Sequence, residues 1–128
     1  MLVADRFCVV TTLAVSVPVL EQNLVEYGIA QACTGVHASG IAVLAIEHAM
    51  EAAADAIAAE AQIALRNERC EAVVLGCAGM AGLAQNLSAR LDVPVVDGVA
   101  AGVLLCEASV RLARRTRWTR LVQPDAVA

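Results

Sequence analysis

Glu71–Val103 reads EAVVLGCAGMAGLAQNLSARLDVPVVDGVAAGV, and the fold follows from this stretch. It opens on a short apolar run, Ala72-Val73-Val74-Leu75, bounded by polar and small residues, the pattern of a buried strand. The run ends in Gly76-Cys77-Ala78-Gly79, and a helical pattern is expected from Met80 to Leu91, stopping before Pro94. Pro94-Val95-Val96 then reads as a second short strand. Asp97 is placed to cap a last helix from about Val99 to Arg115. A cysteine thus falls at the carboxyl end of a strand, on a small-residue turn facing an expected helix N-terminus. Open α/β sheets bind ligands at such edges. Backbone N–H groups and a helix dipole there also favour a thiolate.

Outward from this stretch the same alternation recurs. Phe7-Cys8-Val9-Val10 reads as a buried strand closed by Thr11-Thr12. Ser16 is a candidate cap and Pro18 a first-turn residue for a helix running to Tyr27, with Gly28 as its stop. A weak strand is expected over Ala32–Val36, with irregular backbone around His37 marked by Gly35, Ser39 and Gly40. Residues 47–67 form the longest helical pattern, with Met50, Ile57, Ala61 and Leu65 at helical spacing and Glu51, Asp55, Glu60 and Arg66 on a polar face. Four strand–helix pairs imply an α/β fold with a parallel sheet wrapped by helices. Right-handed crossovers and short connections favour a flavodoxin-like four-stranded order, 2-1-3-4. In that order Cys77 and Thr11-Thr12 end neighbouring strands and can share one crevice.

The composition narrows the class. The 128 residues are 59% hydrophobic but only 2% aromatic, so the core is built of small pieces. A net charge of −4 argues against non-specific nucleic-acid binding. The longest charge-free run, Tyr27–Ile46, is broken by Gly28, Gly35 and Gly40, so neither a membrane span nor a signal peptide is read. Five cysteines, an odd count without metal-like spacing, favour reduced thiols and the cytoplasm. No metal site is expected. His37 and His48 read as structural or solvated histidines, and Asp97 as a helix cap before a ligand. The basic cluster Arg111, Arg114, Arg115, Arg117 and Arg120 reads as complementing the dipole of the last helix before it reads as a binding patch. Residues 1–115 are expected to form one lobe with its C-terminal helix, and 116–128 an irregular tail.

The run Leu75-Gly76-Cys77-Ala78-Gly79-Met80, followed by Val93-Pro94-Val95-Val96-Asp97-Gly98-Val99-Ala100-Ala101, resembles the second-half signature of the hydantoin and allantoin racemases. These belong to the aspartate/glutamate racemase superfamily. Arg6-Phe7-Cys8-Val9-Val10-Thr11-Thr12 resembles the strand and threonine loop that begin that family's second lobe. The resemblance implies a cofactor-independent racemase with two similar lobes around a cleft and one cysteine from each. By it Cys77 is the second-lobe acid/base thiol. The N–H groups of Ala78 and Gly79 hold a developing enolate oxygen, and Thr11 and Thr12 hydrogen-bond a small-molecule substrate such as a hydantoin, allantoin or another amino-acid derivative.

Family chains are about twice as long, so this chain is expected to be a second lobe without the first and without the first cysteine. Cys8, Cys33, Cys70 and Cys106 have no setting comparable to Cys77 and read as structural. The apolar face left by a missing lobe is expected to drive self-association. The alternatives are an inactive α/β remnant or binding module, or a relative of the single-cysteine arylmalonate decarboxylases.

Overall fold

A computed structural model describes residues 3–115. The expected tail, 116–128, lies outside the described residues. The four strands are β1 (Phe7–Thr11), β2 (Cys33–Ala38), β3 (Ala72–Leu75) and β4 (Val95–Asp97). They form one parallel sheet in the order β2-β1-β3-β4, the order expected from the sequence. The α-helices are α1 (Val17–Glu26), α2 (Val43–His48), α3 (Met50–Glu68), α4 (Ala84–Leu91) and α5 (Gly98–Arg115). By its contacts the chain divides into two compact units. Met1–Gly98 holds the sheet, and the second begins at Val99, its described part lying in α5.

Strand alternation divides the core into two layers. Cys8, Val10, Val73 and Leu75 point to one face and pack against the buried residues of α3 and against Leu83 and Leu87. Phe7, Val9 and Ala72 point to the other and pack against Leu20 and Leu24 of α1. The face that α3 buries is Ala53, Ala54, Ile57, Ala58, Ala61 and Ala64, five alanines and one isoleucine. So small a helix surface lets its backbone lie close to the sheet. An additional anchor joins the chain start to β3: the Asp5 N–H donates to Glu71 Oε2 at 2.9 Å.

Four local features differ from the sequence expectation. The long helix over 47–67 is two helices, broken at Ala49, whose backbone leaves the helical region (φ −143°, ψ 60°). Strand β2 extends to Ala38 and takes in His37, so that histidine is in a strand and not in irregular backbone. The irregularity instead lies at its start. Phe7 pairs with Cys33 but Cys8 pairs with Gly35, which leaves Thr34 as a bulge. Ser16 precedes α1, but its hydroxyl makes no capping bond, because its backbone is already helical in a 3-10 turn over Ala14–Ser16. The helix after Cys77 begins at Ala84, not Met80. A 3-10 turn, Ala78–Met80, and Gly82 at φ +85° come first.

Helix ends are handled by left-handed residues. Gly28 (φ +71°) follows α1 at no steric cost. Arg69 and Asp92 hold the same region after α3 and α4 with φ 53° and 55°, a conformation that costs a side-chain-bearing residue roughly 1 kcal/mol.

Candidate functional site

The site candidates lie at the carboxyl edge of β1 and β3. Residue 76 continues β3 by one hydrogen bond, its N–H donating to Val10 O at 2.9 Å. It must be glycine for reasons of space. A methyl group on its α-carbon would lie 2.8 Å from Val9 Cγ1, 3.1 Å from Leu20 Cδ1 and 3.3 Å from Thr11 Cβ. Gly76 therefore lets the chain pass directly over Thr11 and deliver Cys77 beside the end of β1. Cys77 is extended (φ −139°, ψ 132°) and half-buried. Its carbonyl accepts the Met80 N–H at 3.0 Å and so closes the 3-10 turn.

That turn presents two donors. The first N–H groups of a helical turn have no partner within it. Among the described residues no hydrogen bond uses the N–H of Ala78 or Gly79. Both residues are exposed. Met80 anchors the turn from below, fully buried in the core. On the far side the Gly82 N–H donates to Asp97 Oδ2 at 3.3 Å, tying the segment after the turn to the end of β4. The expected α-helix N-terminus at Cys77 is thus replaced by a short turn with two N–H groups unpartnered among the described residues. Donors remain there, but the dipole of a long helix does not.

Thr11 and Thr12 are buried. Their carbonyls accept the N–H groups of Ser39 (2.9 Å) and Gly40 (2.8 Å), and the Ser39 hydroxyl also donates to Thr12 O. The threonine pair and the loop after β2 are therefore one hydrogen-bonded unit. The structure places Thr11 and Thr12 at the end of β1, next to the Gly76-Cys77 turn on β3.

One neighbour of Cys77 has no signal in the sequence. A methyl group on Gly79 would lie 2.6 Å from Val43 Cγ1 and 3.6 Å from Cys77 Sγ. Val43, the first residue of α2, fills the space a side chain at position 79 would take, on the side where the thiol lies. The contact joins residues 36 positions apart, and only the apolar run after Ser39-Gly40 hinted at an ordered segment there.

The remaining polar candidates are accounted for elsewhere. His37 Nε2 lies 3.0 Å from Glu68 Oε1 at the end of α3. The two are close but out of line, so Nε2 and Glu68 Oε2 have no hydrogen-bond partner among the described residues. Both press on Gly35, where a methyl group would lie 2.8 Å from each side chain. His48 is exposed at the end of α2. Cys8 is fully buried, and burial, reinforced by Cys70 beside it, pushes its thiol far above the ordinary range. Burial also raises the Cys33 thiol. Among the described residues no three of His, Cys, Asp or Glu stand together to hold a metal ion, and no helix is long and apolar enough to cross a membrane.

Comparison with known proteins agrees along most of the chain. A family model described as Asp/Glu/Hydantoin racemase matches residues 1–106. The chain is 42% identical over 108 residues to a hydantoin racemase of Rhizobium meliloti, covering 84% of this chain and 45% of that protein. It is 37% identical over 115 residues to a hydantoin racemase of Pseudomonas sp. (strain NS671), covering 90% and 46%. The crystal structure of an allantoin racemase from Pseudomonas fluorescens superimposes with a TM-score of 0.85 and 45% identity, over 88% of this chain and 48% of that one. The chain thus spans about half the length of the curated relatives it matches. It belongs to the Asp/Glu/Hydantoin racemase family.

Proposed function

We propose that these residues form one half of a cofactor-independent racemase acting on a hydantoin, allantoin or related amino-acid derivative, with Cys77 as one of its two acid/base groups. The observation that carries the reading is the Cys77 turn: a half-buried thiol followed by two exposed residues whose N–H groups have no partner among the described residues, beside a threonine pair, in a chain similar to hydantoin racemases. A proton on the carbon next to a carbonyl is weakly acidic. Its removal needs oriented donors for the oxygen that becomes negative, together with a base of suitable strength. In the proposed step the Cys77 thiolate forms an S–H bond as the C–H bond breaks. The bonding pair passes into the carbonyl, which becomes an enolate held by the Ala78 and Gly79 N–H groups. Thr11 and Thr12 orient the substrate. A second thiol returns a proton to the opposite face, and none of the other four cysteines has the setting of Cys77, so it is assigned to a lobe outside these residues.

Two corollaries complete the reading. The enzyme works in the cytoplasm, where its five thiols stay reduced. The chain alone self-associates through the apolar surface that the other lobe would cover, and a clean monomer in sedimentation at micromolar concentration refutes this.

The test of function is solvent deuterium exchange at the chiral carbon of a 5-substituted hydantoin. The expected result is exchange that the Cys77→Ser variant loses by about 10²-fold or more. If the purified chain and Cys77→Ser exchange equally slowly, the catalytic claim for this chain is wrong.

A further inference from the structure

We propose that Val43 is a specificity-determining wall of the Cys77 site, limiting the bulk of the group that can approach the thiol. For substrates this rests on the reading of Cys77 as the acid/base thiol; for access to the sulfur it rests on geometry alone.

The geometry has three parts. First, Val43 Cγ1 and Cys77 Sγ border the same point, the place a methyl group on Gly79 would occupy, at 2.6 and 3.6 Å. Second, both sides are anchored. Met80, the last residue of the turn, is fully buried, and Ile46, one turn along α2 from Val43, is buried as well. The break at Ala49 separates α2 from α3, so α2 runs along its own line and packs on the 3-10 turn. Valine in a helix is also confined to essentially one rotamer. Third, Val43 remains 40% exposed, so it is not a core residue sealed beneath the turn. A rigid apolar side chain that is part solvent-facing and stands beside a half-buried thiol forms a boundary of the space over that thiol. Shaving it to alanine opens the space, and a larger residue closes it. A methylene more or less in such a space shifts selectivity by about 10-fold or more.

The experiment uses the full chain with Val43→Ala, Val43→Phe and the near-isosteric Val43→Thr. Alkylation of Cys77 by iodoacetamide and by the bulkier N-ethylmaleimide is followed peptide by peptide by mass spectrometry, which separates it from the other cysteines. The maleimide-to-iodoacetamide rate ratio at Cys77 is expected to rise about 10-fold in Val43→Ala, to fall in Val43→Phe, and to stay at the parent value in Val43→Thr. A purely structural role would change both rates together and leave the ratio fixed. A fixed ratio in Val43→Ala therefore overturns the proposal, and because Val43→Thr keeps the shape, a shifted ratio there overturns it too. The substrate arm compares deuterium exchange of 5-methyl and 5-benzyl hydantoin in the same variants. If the alkylation ratio moves and no hydantoin exchanges, the wall stands and the racemase reading falls. If hydantoins exchange and neither ratio moves, the wall falls and the racemase reading stands.

Discussion

Cys8 lies within β1 and Cys77 in the turn just after the neighbouring strand β3, and the two differ in almost everything that governs a thiol. Cys8 sits inside β1, fully buried against the α3 side of the core, with Cys70 beside it and its proton held tightly by burial. Cys77 comes one residue after β3 passes over Thr11, half-buried, extended, and followed by two N–H groups without partners among the described residues. Unpartnered backbone donors stand beside a thiol at the edge where strands end, because there the backbone stops satisfying itself. Within the sheet a thiol is a small apolar filler.

The contrast is broken most directly by limited alkylation under native conditions. Cys8 can react only when the lobe opens, so it should label slower than Cys77 by about 10³-fold or more. Comparable rates, read by mass spectrometry, would erase the distinction. A smaller effect is expected from Met80→Ala. It empties a fully buried site beneath the cysteine turn and should cost about 2–5 kcal/mol in urea unfolding. If Met80 positions the turn, labelling of Cys77 changes in this variant even where the lobe remains folded. A loss of stability with unchanged Cys77 labelling would show that the turn holds its shape without the anchor.

The mildest test is pH. In the unfolded chain Cys8 ionises at the ordinary thiol value, near 8.5, whereas in the lobe it keeps its proton to higher pH. The folded state then binds the proton more tightly. The stability from this site is complete below that value and declines as pH rises through it, by at most about 1.4 kcal/mol per pH unit. Cys8→Ala should flatten the decline in unfolding free energy between pH 8 and 10. An equal slope in parent and variant would assign the decline to other groups.

Much of the fold was legible because β1, β3 and β4 are short apolar runs ended by threonine, glycine or aspartate. The strand order followed from the alternation of elements. Strand β2 was read two residues short because all six of its residues are only half-buried and show no alternation. The break at Ala49 was invisible for a different reason. Alanine carries no helix-breaking signal, and the run around it is rich in good helix formers. The start of α4 was read four residues early because the helix is interrupted at Ala81 (φ −55°, ψ 139°), an alanine that carries no breaking signal, and at Gly82, a single glycine. At the site, Cys77 was marked by a strand ending in glycine, whereas Val43 comes to the space beside Gly79, which Cys77 Sγ also borders, only through packing of distant elements.

The alanine face of α3 has a consequence for the entropy of the folded lobe. Burying a long side chain freezes several rotamers, at up to about 1.5–2 kcal/mol each, while alanine freezes none. Five of the six residues that α3 buries therefore add apolar contact at no rotameric cost. A layer of this kind has few alternative packings to choose among. Its order is the order of the backbone itself, and the strand edge carrying Cys77 rests on a support with almost no side-chain freedom left to lose.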